Sequence, residues 1–238
     1  DGGLGISTDG GATFTNRTAA NSGLGDDFVW GVYAVGATVY AATGGGGLGI
    51  STDGGTTFIN RTTANSGKCD YCGLYSNIVR GVYADGGTVY AATLDGLGIS
   101  TDGGATFTTR TTTNGLGSRF VYGVYADGAT VYAATDPQGV EPGGRGGLSI
   151  STDGGTTFTT YTTTNGLGSN GVHGVYADGA TVYAATRPGV GSGGLSISTD
   201  GGTTFTTYTT INGLGSNNVQ GVYADGATVY AATIGGLG

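Results

Sequence analysis

The stretch GLSISTDGGTTFTTYTTTNGLGSN, Gly147 to Asn170, returns as Gly194 to Asn217 with a single change, Thr164 becoming Ile211. Looser copies begin at Gly3, Gly47 and Gly96. The leucine that opens each copy stands at Leu4, Leu48, Leu97, Leu148, Leu195 and Leu237, in steps of 44, 49, 51, 47 and 42. Within one repeat, Gly147–Ser151 alternates apolar and small polar residues, as a strand does. Thr152-Asp153-Gly154-Gly155 is a tight turn whose glycines are free to take positive φ. Thr156–Thr163 is rich in β-branched and aromatic residues and reads as a second strand, followed by a loop at Asn165–Gly168. Val172–Ala177 and Thr181–Thr186 are a third and a fourth strand around Asp178-Gly179. No segment has a 3.6-residue apolar period, so essentially no helix is expected. A period in the forties with four strands per unit points to the blades of an all-β propeller.

The strand character follows the expected layers. VHGVYA and TVYAAT are nearly continuous in apolar and small residues, which suits inner strands covered on both faces by neighbouring blades. TTFTTYTT is polar and suits an outermost edge. The chain opens on a first and second strand, Leu4 to Thr18, and closes on a third and fourth, Val219 to Thr233. The expectation is therefore one domain, residues 1–238, with repeats beginning near 3, 47, 96, 147 and 194. Its five blades close into a ring when the N-terminal and C-terminal strands pair in one blade. The same complementary ends also allow self-assembly with neighbouring molecules.

Composition narrows the class. Glycine is 54 of 238 residues and proline 3, without the every-third glycine of collagen. The net charge is −8, with Glu141 and Lys68 alone of their kinds and no basic stripe, so nucleic acid is not an expected partner. No apolar run approaches the length of a membrane span. The sequence holds no methionine and reads as a processed chain, so a secreted or cell-surface location is expected. Cys69 and Cys72 lie in the insertion SGKCDYCGLYSN; one CxxC lacks the second pair of a closed zinc site and is expected to be a local disulfide.

Ser-x-Asp-x-Gly-x-Thr-Phe occurs five times, at Ser7–Phe14, Ser51–Phe58, Ser100–Phe107, Ser151–Phe158 and Ser198–Phe205. It resembles the Asp-box hairpin of sialidases and other Asp-box propellers. The half-repeat GLGSNNVQGVYADGATVYAATIGGL is similar to the repeat of two-component-regulator propellers of bacterial sensor ectodomains, with Tyr where those repeats often carry Trp. Together the resemblances cover nearly the whole chain and imply a propeller; function is not implied by the fold.

The motif carboxylates Asp9, Asp53, Asp102, Asp153 and Asp200 sit beside glycine-rich turns, an arrangement that invites calcium. Turn chemistry explains them better: the carboxylate and the serine bond the turn amides, and the aromatic packs beneath. No metal or cofactor is expected. Nor is an enzyme. Arg17, Arg61 and Arg110 share an outer-strand slot with Tyr161 and Tyr208 and are expected at the surface, not in a substrate cluster. His173 is the only histidine and has no nucleophile elbow near it. A glycoside-acting alternative needs a carboxylate pair, for which Asp26 or Asp27 with Glu141 is the one candidate.

Repeats this alike make their differences legible. The residue before Gly-Val-Tyr-Ala is Trp30, Arg80, Tyr122, His173 and Gln220 in turn. Two earlier stand Phe28, Ile78, Phe120, Gly171 and Asn218; one further, Asp27, Asn77, Arg119, Asn170 and Asn217. The intervening residue is always valine, so packing fixes one strand face while the other changes. The second variable place follows Ala-Ala-Thr, beginning at Gly44, Leu94, Asp136, Arg187 and Ile234. In a four-stranded meander both places lie at one end, whereas the hairpin turns of the other end barely change. Drift in tolerant loops would vary both ends. Trp, Tyr and Arg are also hot-spot residues of binding surfaces. The expectation is a non-catalytic module that binds a glycan or an extracellular protein at this mouth, with a structural subunit of a surface layer, sheath or filament as the alternative.

Overall fold

A computed structural model describes residues 2–67, 73–137, 145–234 and 236–237. The chain is all-β apart from single helical turns, and it divides into two compact units, Asp1–Thr109 and Arg110–Gly238. In the first unit β1 (Leu4–Ile6) pairs, among the described residues, only with β2 (Thr15–Arg17). The helical turn α1 (Ala19–Ser22) leads to β3 (Val29–Val35), β4 (Thr38–Thr43), β5 (Leu48–Ser51) and β6 (Ile59–Arg61), one antiparallel four-stranded sheet in chain order. β7 (Val79–Asp85), β8 (Thr88–Thr93), β9 (Gly96–Ser100) and β10 (Thr108–Arg110) form the next. The second unit repeats the plan. β11 (Val121–Asp127), β12 (Thr130–Thr135), β13 (Gly147–Ser151) and β14 (Thr159–Tyr161) make one sheet. β15 (Ser169–Asp178), β16 (Thr181–Gly191), β17 (Gly194–Ser198) and β18 (Thr206–Tyr208) make another. β19 (Val219–Asp225), β20 (Thr228–Thr233) and β21 (Gly236–Leu237) make a three-stranded sheet.

Successive sheets share apolar clusters. Tyr40, Ala42 and Leu48 of one sheet pack against Leu74, Val79, Val89 and Phe107 of the next in the first unit. Tyr132, Ala134, Leu148 and Ile150 meet Leu167, Val172, Val182 and Phe205 in the second. Leu48, Leu97 and Leu148 are wholly buried, each worth roughly 1.5–3 kcal/mol. Leu48 and Leu148, two of the leucines that mark the repeats in the sequence, are thus bolts between sheets.

Four expectations change. The second strand is shorter than Thr156–Thr163: only Thr159–Tyr161 pairs, because the amides of Thr156 and Thr157 donate to the Asp153 carboxylate instead. Helix is not absent. Each second strand runs into one turn written Thr-x-x-Asn, helical in four of the five repeats, in which the asparagine Oδ1 accepts the threonine amide at 2.8–3.1 Å. The turn at Thr163–Asn165 ends on Gly166 at φ 95°, a left-handed cap that suits glycine. The outer arginines are not simply at the surface. Arg61 Nε donates to the Gly104 carbonyl at 2.9 Å, and Arg110 Nε to that of Gly155 at 2.8 Å, each tying an outer strand to a neighbouring Asp-Gly-Gly turn. Finally, the open edge of β20 is not paired with the Leu4 strand. It carries Gly236 and Leu237, in register with Thr233 and Ala232.

Asn60 and Asn16, which head Asn-Arg-Thr sequences, donate their side-chain nitrogens to the Gly23 and Gly2 carbonyls. Thr160 and Thr207 do the same with hydroxyls in the same slot, so the slot is an anchor for a loop. Cys69, Cys72 and Glu141, and with them the expected disulfide and the carboxylate pair, lie outside the described residues.

Candidate functional site

The five motif aspartates do turn chemistry. In the fourth repeat Ser151 Oγ accepts the Gly155 amide at 2.8 Å and donates to Asp153 Oδ1 at 2.7 Å. Oδ1 also accepts the Thr156 and Thr157 amides, and Oδ2 the Thr157 hydroxyl. Ser7–Asp9, Ser51–Asp53, Ser100–Asp102 and Ser198–Asp200 repeat the serine–aspartate bond at 2.6–2.7 Å. Phe58, Phe107, Phe158 and Phe205 are buried beneath, whereas Phe14 is exposed. Among the described residues no cluster of His, Cys, Asp or Glu is arranged to hold a metal ion.

The variable residues are placed by a device the alternation rule does not show. In each inner strand the register slips between Val29 and Gly31, Val79 and Gly81, Val121 and Gly123, Val172 and Gly174, and Val219 and Gly221. Trp30, Arg80, Tyr122, His173 and Gln220 are therefore the extra residues of five β-bulges. A bulged residue is released from the ladder and re-aimed. The glycine that follows lets strands approach. A Cβ on Gly123 would lie 2.8 Å from the His173 carbonyl, and one on Gly174 3.0 Å from that of Gln220. Bulge and glycine together bring the variable side chains of consecutive strands into contact.

In the first unit the Arg80 guanidinium lies 3.8 Å above the Trp30 ring centroid, and Phe28 packs on Trp30 at 4.4 Å. Phe28 and Trp30 are nearly half exposed. With Asp26, Gly44 and Ile78 they line a recess of about 370 Å³. A side chain at Gly44 would press on Phe28, so the missing Cβ keeps the recess open.

In the second unit Tyr122 stacks on His173 at 4.3 Å, with the rings 8° from parallel. His173 Nε2 lies 3.0 Å from Asp136 Oδ2, and Nδ1 3.1 Å from Gln220 Oε1. Two acceptors facing both ring nitrogens require an imidazolium or a Gln220 amide turned over. Arg187 clamps Asp136 through Nε at 2.5 Å and Nη2 at 2.8 Å. Burial alone would push the Asp136 carboxyl up; the hydrogen bonds from His173 and Arg187, and the Arg187 charge, outweigh it and hold the group below its usual range. A fully buried carboxylate needs such partners.

The outermost variable column is largely committed to the fold. Asp27, Asn77, Asn170 and Asn217 each accept, through Oδ1, an amide from the turn before them, those of Ala19, Thr63, Thr163 and Thr210. Arg119 instead stands over Phe120 at 5.1 Å. Asp136 and Arg187 are legible in the sequence only as the starts of two variable inserts; their ion pair is not. A signal existed: they occupy the same slot after Ala-Ala-Thr with opposite charges, and Arg187 pairs across the sheet with Gly171.

No protein-family model matches the sequence, and no curated protein matches it. Solved structures do resemble it. The extracellular domain of a hybrid two-component system of B. thetaiotaomicron has a TM-score of 0.72 at 19% identity, over 94% of this chain and 30% of that one. YCF48 bound to D1 peptide gives 0.64 at 13%, over 98% and 70%. An ancestral GH74 enzyme gives 0.59 at 20%, over 86% and 27%. The chain thus spans under a third of the first and third of these. At such identities the likeness carries the fold, and that fold is the β-propeller, built here from four-stranded antiparallel sheets.

Proposed function

We propose that the chain is a non-catalytic recognition module that binds a glycan or an extracellular protein at the end of its sheets where the bulges lie. One observation carries this: five unlike side chains occupy the same re-aimed position, on a framework whose packing residues hardly change. Trp30 with Phe28 offers an aromatic platform flanked by Asp26 and Arg80, groups suited to stacking on a sugar or gripping a peptide. Tyr122, His173 and Gln220 form a second patch, stiffened by the Asp136–Arg187 pair. The likeness to sensor ectodomains and to a peptide-bound propeller supports binding over catalysis and a secreted or surface location. Glycan and extracellular-peptide arrays test it. Trp30→Ala and Tyr122→Ala should each weaken a captured ligand by ~10-fold, about 1.4 kcal/mol; unchanged binding in both removes the bulges from the site.

The structural-subunit reading keeps one supporting observation. Val32 and Val35 in the first unit are about half exposed, as are Tyr223 and Tyr230 in the second, while Tyr132, in the slot of Tyr230, is buried. Such faces suit another sheet. A closed ring of five blades also requires a hairpin at this place, with β1 in the slot now held by Gly236–Leu237; we include that closure in the proposal. Light scattering separates a monomer from an assembly.

A further inference from the structure

The hairpin end of the first unit, away from the bulges, holds a second cavity, of about 330 Å³. Two tyrosines, Tyr33 and Tyr40, Val35 and the turn Asp85-Gly86-Gly87 line it. Tyr40 is buried and Tyr33 half-buried, the latter packed on Tyr83 at 4.8 Å between ring centroids. Two departures from the repeat make this wall. Val35 stands where the other repeats have Asp85, Asp127, Asp178 and Asp225. Gly87 stands where they have Ala37, Ala129, Ala180 and Ala227. Gly87 has φ 88° and follows Gly86 at φ 53°, a mirror-image turn that the alanines, none at positive φ, do not make. A Cβ on Gly87 would meet nothing within 4 Å, and the turn lines the cavity together with the tyrosines.

Aromatic rings, an apolar side chain and one carboxylate, with no Lys or Arg among the lining residues, have a definite chemical preference. A ring face attracts a cation, and a carboxylate neutralises it. A small hydrated ion would gain little from the valine; an ammonium whose charge is wrapped in methyl groups sheds its water cheaply and fills the apolar wall. The size lies at the lower end for small-molecule sites, roughly 300–1,000 Å³.

We propose that this cavity binds a methylated ammonium group, independently of the recognition surface at the bulges. Calorimetric titration of the intact chain with tetramethylammonium chloride tests it, with ammonium chloride as the comparison. Saturable binding of the methylated ion, at least ~5-fold stronger than of ammonium, is expected. Asp85→Asn, at an exposed turn and safe for folding, should weaken it ~5-fold or more, and Tyr33→Leu should do the same, while Trp30→Ala leaves it unchanged. Equal binding of ammonium, no binding of either ion, or indifference to Asp85→Asn overturns the proposal. Flotation with phosphatidylcholine vesicles assigns the ammonium to a lipid headgroup; binding of the ion without flotation assigns it to a free solute.

Discussion

At the scale of the residue, the Ser-x-Asp turn shows how a motif that looks chemical is used for building. Ser151 is buried, and its hydroxyl is the partner of the buried Gly155 amide. Ser151→Ala leaves that amide without an acceptor and should cost about 1–3 kcal/mol, read by urea unfolding of the intact chain; a loss near zero would mean that water replaces the hydroxyl. The carboxylates set a pH response. Asp9, Asp53, Asp153 and Asp200 are held well below the usual carboxylate range, chiefly by the Thr13 hydroxyl, the Thr57 and Thr157 amides, and the Ser198 hydroxyl in turn. Asp136 is lowered as well, its partners overcoming burial. A depressed folded value means stability that is fully present above the unfolded value and lost as pH falls towards the folded one. The melting temperature should therefore be flat from about pH 7 to 5 and drop once pH passes below about 4. A fall already near pH 6 would mean that these carboxylates do not set the response.

At the scale of the element, the sequence was read well where period and turn chemistry agree, and poorly where a local bond overrides them. Strand order, hairpin turns and the edge position of the Thr-rich strand follow from pattern alone. The helical turns were missed because three residues cannot show a period, although Thr-x-x-Asn-Gly spells a cap at each of Thr111, Thr162 and Thr209. The bulges were missed because alternation of valine with variable residues looks regular on paper. The glycine after each variable residue was the available clue, since glycine inside a strand marks a bulge or a close backbone approach. It leads to a paired test. Gly123→Ala sets a Cβ 2.8 Å from the His173 carbonyl and should cost about 1–3 kcal/mol. It should also loosen the Tyr122–His173 stack, visible as a shift of the histidine ring resonances. Gly221→Ala meets only Ala232 Cβ at 4.0 Å and should be nearly neutral. Equal costs for the two would mean that strand approach is not what the glycine serves.

At the scale of the whole molecule, the spacing of the leucines leads to an expected count of five repeats, but it does not say how the last repeat is completed. Sequence supplies two candidates for one slot, because Gly-Leu occurs both at Gly3-Leu4 and at Gly236-Leu237. Either satisfies the edge of β20, since the backbone bonds of a strand are blind to which copy provides them. Gly236–Leu237 offers one short strand, whereas the proposed closure would use β1, which is paired with β2 and whose Leu4 and Ile6 pack with Leu24, Val39 and Phe58. Leu148 pairs with Ala134 in a complete sheet, so the proposed ring closure would put Leu4 opposite Ala232. Facing residues of antiparallel strands lie about 4.5–5.5 Å apart at Cα, within reach of a disulfide. Leu4→Cys with Ala232→Cys, in a chain also carrying Cys69→Ser and Cys72→Ser, should oxidise to a monomer whose mobility on a non-reducing gel changes and whose melting temperature rises. Loop closure over so long a span is worth about 5.5 kcal/mol in the chain-entropy account. Disulfide-linked dimers and higher species instead would show that the slot is filled from a neighbouring molecule, and would overturn the proposed five-bladed ring in favour of a self-assembling array.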